Sequence, residues 1–262
     1  MTITTLDGLV AATRTKLPFY KSSSTADAAN FFVSLWKVGT NPPAGATPPV
    51  GSGEAPTRAT LGAFTFNEIG GTAGIYAGRA LLQMATMGIV NFYDRLVHTS
   101  GLNGTLTTEQ AVNSVALPRY TTGVGVELFI EHYVATGASV ANITVTYTNQ
   151  AGESGRTTTF SFYASPLAGL MQLVPLMGSD TGVRSVQSVQ LSASTGTAGD
   201  FGITLVKRLI DISPAGVNSG QVFSPFDIGL PTILPDACMA MAVFTTSTAT
   251  GIISGSLDIL QG

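Results

Sequence analysis

The stretch that decides the fold class is ITVTYTNQAGESGRTTTFSFY, which runs from Ile143 to Tyr163. Ile143, Val145 and Tyr147 alternate with threonines, so one side of this segment is apolar and the other is polar. A polar turn with two glycines follows at 149–155, and residues 157–163 return with β-branched and aromatic side chains. This pattern predicts an antiparallel β-hairpin.

Similar segments lie on both sides of the hairpin. Glycine is abundant between them, with 30 in the chain, and supplies turns and bulges between strands. Many short antiparallel strands with glycine-rich turns indicate a mainly β body, either a sandwich or a jelly-roll-like fold. We predict further strands at 61–66, 124–131, 183–191, 201–209 (pairing back on 183–191), 239–245 and 251–260. Residues 73–87 predict a buried helix or strand pair, 91–98 a strand or short helix, and 107–111 a helical turn.

The first sixty residues have a different character. Residues 6–12 predict a short helix with Thr4 or Thr5 as its N-cap. A second helix is predicted at 26–36, capped by Ser24 or Thr25 and ended by Gly39. Its apolar residues recur at helical spacing and form one stripe, which must pack against other apolar surface.

This stripe is the one candidate interface in the sequence. Phe31, Phe32, Leu35 and Trp36 form its centre. The stripe either docks on the β body of the same chain or engages a neighbouring subunit, and the sequence leaves both alternatives open.

Residues 40–57 predict an extended arm. They contain five of the thirteen prolines, which remove amide donors and favour extended backbone. Val50 is almost their only apolar side chain, so this segment cannot form a core of its own. We therefore predict an N-terminal helical segment and proline-rich arm at 1–57 and a β-rich body at 58–262.

Charge is unusually sparse. Only 10% of the residues are Asp, Glu, Lys or Arg, against roughly 25% in ordinary soluble domains. A surface so poor in charge favours association unless neighbouring subunits cover it. The net charge of −3 argues against a dedicated nucleic-acid binder. We expect a homo-oligomer, with a trimer as the leading expectation.

The sequence has no features typical of secreted or membrane proteins. Cys238 is the single cysteine, so no disulfide framework exists. No apolar run reaches the roughly 18 residues that a membrane helix needs. Residues 1–7 lack the basic start and apolar stretch of a signal peptide. We expect synthesis in a host cytoplasm and no membrane partner.

The residue types that carry chemistry are few and scattered. His98, His132 and Cys238 are too few and too far apart in sequence to predict a zinc site. Glu127 and Glu131 share a strand face, but about 13 Å between their Cα atoms is too far for a carboxylate pair, so we expect a solvated or interface-facing stripe. Asp7, Asp180 and Asp200 near turns are read as caps or turn formers rather than Ca²⁺ ligands. We predict no catalytic residue, no cofactor and no metal, and hence no enzyme.

Three segments resemble virion proteins of tailed bacteriophages. They are GVRSVQSVQLS at 182–192, GITLV at 202–206 and IISGSLDI at 252–259, together with the proline-rich arm after a helical N-terminus. The resemblance implies a capsid-associated or tail-associated structural subunit located in the virion. A head decoration or cement protein is the version we favour, with other virion proteins such as the major capsid protein as partners.

Two alternatives stay open at this point. The first is a major capsid or tail-tube subunit, which belongs to the same class. The second is a carbohydrate-binding β-sandwich, for which Trp36, Tyr120, Tyr133 or Tyr147 would offer stacking surfaces.

Overall fold

The structure is a computed structural model that describes residues 3–22, 29–70, 74–113, 115–248 and 251–262. The chain is mainly β, with antiparallel sheets and a short N-terminal helix, which confirms the predicted fold class. The elements in chain order are α1 Leu6–Ala11, β1 Thr13–Lys21, β2 Phe32–Ser34, α2 Leu35–Val38, β3 Ile75–Met84, β4 Gly88–His98, β5 Gln110–Ala111, β6 Val126–Val134, β7 Ala141–Asn149, β8 Arg156–Phe162, β9 Leu170–Leu173, β10 Val183–Leu191, β11 Asp200–Ile212, β12 Gln221–Phe223, α3 Pro225–Ile228, β13 Met239–Thr245 and β14 Ile253–Gln261.

The chain divides into two units, which are described separately. The first unit contains Met1–Gly45, Thr57–Tyr93 and Leu209–Gly262, and the second contains Ala46–Pro56 and Asp94–Arg208. These units differ from the predicted division into 1–57 and 58–262. Residues 1–45 are part of the first unit rather than a separate segment, and the β-rich remainder is split between both units.

A four-stranded antiparallel sheet in the order β1-β14-β3-β12 forms much of the first unit. Strands β2 and β13 also pair in this unit. Alternate residues of the strands point inward and form one apolar core. Phe92, Leu82 and Leu257 have no exposed surface in this core.

A second four-stranded sheet, in the order β5-β10-β7-β8, lies in the second unit. Strand β6 pairs with β9 and with the first part of β11. The core of this unit is built from branched aliphatic side chains of these strands, including Val145, Leu128 and Leu205, which are fully buried.

Several predicted elements are confirmed. The hairpin exists as β7 and β8, which pair in unbroken register from Ala141–Phe162 to Tyr147–Arg156. Helix α1 forms, and its predicted cap Thr5 accepts a hydrogen bond from the amide of Gly8. Strands β10 and β11 also form where the pattern placed them, but they do not pair with each other. Strand β10 pairs with β7 and β5, whereas β11 pairs with β6.

The predicted second helix is wrong in its described part. Residues 23–28, with the predicted caps, lie outside the described residues. Phe32–Ser34 is a strand whose backbone pairs with β13, and only Leu35–Val38 forms a helical turn, which ends at Gly39 as predicted. Aromatic and β-branched residues suit a strand, and pairing with β13 overrides the helical spacing.

Two shorter predictions are also wrong, and two that left alternatives open are resolved. Residues 61–66 form no strand, although Phe64 is buried and its amide donates to the carbonyl of Met239. Residues 107–111 contain strand β5 instead of a helical turn. The two ambiguous segments at 73–87 and 91–98 are the strands β3 and β4.

The proline-rich arm has no helix or strand, as its composition predicts, but part of it is held by its own chain. Residues 46–56 belong to the second unit, and we call them the strap. The backbones of Glu54 and His98 exchange two hydrogen bonds of 3.0 Å, and Ser100 Oγ donates to the carbonyl of Pro48. The strap is thus an ordered part of this unit.

Candidate functional site: the buried ion network of the second unit

Two adjacent charged residues of β4, Asp94 and Arg95, lie at the start of the longer segment of the second unit. Asp94 and Arg95 each have no exposed surface. Successive strand residues point to opposite sides, so each of these charges needs its own partner. An unpaired charge in a protein interior costs several kcal/mol, which makes their partners decisive for this unit.

Arg95 is paired with Glu131 of β6. Arg95 Nη2 lies 2.6 Å from Glu131 Oε2, and both side chains are completely buried. Thr204 of β11 donates its hydroxyl to the same carboxylate oxygen at 2.6 Å, and the Tyr133 hydroxyl lies 3.2 Å from it. The ion pair therefore joins three strands through charge-assisted hydrogen bonds.

His98 connects this pair to the strap. Arg95 Nε donates to His98 Nδ1 at 2.8 Å, which leaves the ring proton on Nε2, 3.3 Å from Glu54 Oε2. Burial, assisted by the charge of Arg95, lowers the pKa of His98 to about 2. The imidazole is thus neutral and acts as a hydrogen-bonding link between the ion pair and the strap.

Asp94 has a two-pronged partner on the other side of β4. Arg119 donates from Nε to Asp94 Oδ2 at 2.7 Å and from Nη2 to Oδ1 at 2.8 Å. This fork geometry is the strongest arrangement of a guanidinium and a carboxylate. Burial and, next, the charge of Asp94 raise the pKa of the neighbouring Tyr120 to about 12.

Most groups of the network are shielded from solvent. A general acid or base must come within hydrogen-bond reach of a substrate. Arg95, Glu131 and Thr204 are fully buried, and the pKa of Tyr133 is raised well above its usual value, first by burial and then by the charge of Glu131. Glu54 alone has a substantially exposed side chain, at 42%. The network links the strands to the strap, and Glu54 is its member with the most exposed side chain.

The other residues considered for chemistry, His132 and Cys238, do not belong to this network. His132 is fully buried between the rings of Phe162 and Phe201, with centroids at 5.2 and 5.9 Å. Burial lowers its pKa to about 3. Cys238 is a buried thiol outside any disulfide. Within the described ranges, no group of three or more His, Cys, Asp or Glu side chains is arranged to hold a metal.

The carboxylates have separate structural partners. The expected solvated stripe of Glu127 and Glu131 is wrong for Glu131, which is buried with Arg95, while Glu127 pairs with Arg208 at 2.8 Å. The Asp180 carboxylate accepts hydrogen bonds from Tyr147, Asn149 and Arg156.

The two other aspartates serve the local backbone. Asp200 accepts the amide hydrogen of Gly101 at 2.7 Å. Asp7 lies in the first turn of α1, where a negative charge suits the helix dipole. Asp7 thus lies at a helix start, whereas Asp200 begins β11 and bonds a residue distant in sequence.

Two of the four predicted interface residues lie in the interior of the first unit. Leu35 and Trp36 are 5% and 1% exposed, and an added Cβ on Gly45 would lie 2.4 Å from the Trp36 ring. Phe32 packs its ring 5.1 Å from that of Phe244, and Phe31 is half-buried. Leu35 and Trp36 therefore pack within their own chain, whereas the interface role of Phe31 and Phe32 stays a prediction.

Sequence reasoning missed the ion network. A signal was present in NFYDRLVH at 91–98, where two charges interrupt an otherwise apolar strand. Charged residues are almost never fully buried without a partner, so this placement indicates a buried pair. The identity of the partners depends on which strands are neighbours, and spacing along the chain does not contain that information.

None of the described helices has the length and hydropathy that a membrane crossing requires.

Comparisons with known proteins give little. No family model and no curated protein matches the chain. Among solved structures, the infectious bursal disease virus Gt strain gives 8% identity over 95% of this chain and 81% of that chain, with a TM-score of 0.18. The VP2 subviral particle of the same virus gives 9% identity over 95% and 80%, with a TM-score of 0.17. Scores at this level do not establish a shared fold.

Proposed function

We propose that this chain is a non-enzymatic structural subunit of a virion, present in many copies. The observation that carries the proposal is the composition of its surface. Among the described residues seven charged side chains are buried, so at most twenty of the 27 in the chain remain to face water. Twenty-one large hydrophobic side chains of the described residues are exposed. Exposed apolar side chains are therefore at least as numerous as exposed charged ones. The buried charges are Lys21, Arg58, Asp94, Arg95, Arg119, Glu131 and Asp258.

Some exposed apolar side chains are almost fully solvated. Phe226, Val10, Val140 and Val50 are 74–81% exposed. Covering such side chains stabilises an assembly by roughly 25 cal/mol for each Å² of apolar surface removed from water. Isolated exposed hydrophobics are common in any protein, so the argument depends on their combination with sparse charge.

The interior supports a mechanical role. The fully buried pair of Arg95 and Glu131, with the hydroxyl of Thr204, fixes β4, β6 and β11. Asp94 of β4 pairs with Arg119, whose side chain is 8% exposed. Such an arrangement favours one rigid geometry, which repeated assembly requires. It offers no nucleophile, base or electrophile to a substrate.

Within this class we favour a head decoration or cement protein, trimeric and bound to a major capsid protein. This finer version depends on the resemblance of 182–192, 202–206 and 252–259 to tailed-phage virion proteins. A major capsid or tail-tube subunit remains the alternative. The carbohydrate-binding alternative loses support, because Trp36, Tyr133 and Tyr147 are buried and cannot stack on a sugar.

Light scattering and electron microscopy of the purified full chain test the proposal. We expect a particle of about three times 26.9 kDa at micromolar concentration, and larger regular assemblies on concentration. A monodisperse, soluble monomer at every concentration would contradict the proposal, as would enzymatic turnover that one substitution abolishes.

A further inference from the structure

Four strands form the edges of the two four-stranded sheets: β1 and β12 in the first unit, and β5 and β8 in the second. An edge strand presents backbone N–H and C=O groups that can pair with another chain. Proteins usually protect such edges by keeping them short, or with proline, lysine, bulges or a covering segment.

Three of these edges are protected. Strand β12 has three residues and β5 has two. Strand β1 is long but contains Lys16 and Pro18, and the backbones of Tyr20 and Asn41 exchange hydrogen bonds of 2.8 and 3.0 Å along it. Asn41 Nδ2 also donates to the carbonyl of Pro18.

Strand β8 has none of these protections over most of its length. Residues 157–162 read TTTFSF, without proline, lysine or glycine. All seven residues of β8 pair with β7 with no bulge. Among the described residues, the sheet ends at β8 and no other strand runs along its outer edge. Thr157, Thr159 and Ser161 have exposed side chains.

The register shows which backbone groups point outward. Asn142 of β7 directs its N–H and C=O to Ser192, away from β8. In an antiparallel ladder this direction alternates, so Ile143, Val145 and their neighbours at odd positions bond to β8. Their partners on β8 are the even-numbered residues. The backbone groups of Thr157, Thr159 and Ser161 consequently point outward.

A side chain at one end supports this assignment. Gln172 of β9 donates from Nε2 to the carbonyl of Ser161 at 2.6 Å and accepts from the amide of Tyr163 at 3.3 Å. Both groups are at odd positions, as the alternation requires. Gln172 covers the end of the edge and leaves the groups of Thr157 and Thr159 open.

We propose that the outer edge of β8 binds the β8 strand of a second copy of this chain, antiparallel and across a two-fold axis centred on Thr159. The two Thr159 residues then exchange a pair of backbone hydrogen bonds. Thr157 of each copy lies opposite Ser161 of the other, whose carbonyl already accepts from Gln172, so the central Thr159 pair carries the contact. Side chains at the contact are neutral, and the one charge of the strand, Arg156, lies opposite Phe162 of the second copy. No like charges oppose each other, so the edge is self-complementary.

This inference rests on the proposed function, which requires self-association, and it locates one interface at β8. A two-fold contact cannot close a trimer, because each copy presents the same patch to its partner. In a trimeric subunit it would link one trimer to the next. Strand addition of this type derives its affinity from main-chain hydrogen bonds, which suits a threonine-rich edge.

Three variants at position 159 test the proposal in the full chain. Thr159→Pro removes the outward amide and leaves the backbone bonds to β7 intact, since proline is tolerated on an edge. All three variants also remove the hydroxyl contact of Thr159 with Thr144 of β7, at 2.8 Å. Thr159→Lys and Thr159→Glu each place two like charges opposite one another at the centre of the contact. Sedimentation equilibrium should show the affinity of the two-fold contact reduced about tenfold or more in each variant. An equimolar mixture of the Lys and Glu variants should restore it.

Asn142→Lys is the matched control. It adds the same charge to an exposed position of the same sheet, one strand inward from the edge, and should leave association unchanged. Hydrogen exchange of the Thr157 and Thr159 amides should slow as the wild-type concentration rises. An oligomer that survives all three variants, with fast exchange at both amides, would overturn this contact but leave the proposed function standing. A wild-type chain that never associates would overturn both.

Discussion

Arg95 Nη2 lies 2.6 Å from Glu131 Oε2, and neither side chain has any exposed surface. Taking both charges out of water is unfavourable, and their attraction offsets this only because Thr204 and Tyr133 add hydrogen bonds to the carboxylate. The two side chains therefore stabilise the fold only as a pair, because removal of one leaves the other as a buried, uncompensated charge.

Arg95→Met and Glu131→Leu should each lower the free energy of unfolding by about 3–5 kcal/mol. The double variant should lose less than the sum of the two, because it leaves no orphaned charge. Denaturant unfolding of the four proteins completes the double-mutant cycle. Additive losses would show that the two side chains do not act as a pair.

Sequence patterns were sufficient for elements whose stability is local. The β7–β8 hairpin has its alternation and its turn in one continuous segment, and α1 has its cap next to it. The predicted helix at 26–36 failed because its outcome depends on β13, about two hundred residues away. The partner of Arg95 is hidden for the same reason, since only the strand order brings Glu131 beside it.

The two buried histidines make the second unit sensitive to acid. His98 and His132 have pKa values of about 2 and 3 in the folded protein, both lowered first by burial. In the unfolded chain each binds a proton below pH about 6.5. Acidification therefore stabilises the unfolded state, and the free energy of unfolding should fall by about 1.4 kcal/mol per histidine for each pH unit lost below that point.

Unfolding measured between about pH 6.5 and 5 isolates this effect, because most carboxylates stay ionised there. His132→Leu should remove about half of the slope. It should also preserve or raise stability near pH 7, since neither ring nitrogen of His132 has a hydrogen-bond partner among the described residues. An unchanged slope in this variant would mean that His132 is protonated in the folded state.

Trp36 tests whether the N-terminal segment is needed for the stability of its own chain. It is 1% exposed, and an added Cβ on Gly45 or Gly62 of the first unit would lie 2.4 or 3.1 Å from its ring. Trp36→Ala should lower the free energy of unfolding by about 3–5 kcal/mol, as expected for a large core residue. Val10→Ser is the control, because Val10 is 79% exposed and belongs to the same unit, and it should change stability by less than about 0.5 kcal/mol.

Deleting residues 1–57 extends this test to the whole segment. The deletion removes β1, β2 and the strap, together with core side chains such as Phe19 and Leu35. We expect a chain without cooperative unfolding and without near-ultraviolet circular dichroism, because both units lose residues that complete them. A truncated chain that keeps the β fold and loses only its association would show that the segment works as an assembly arm, and that its packing on its own chain is dispensable.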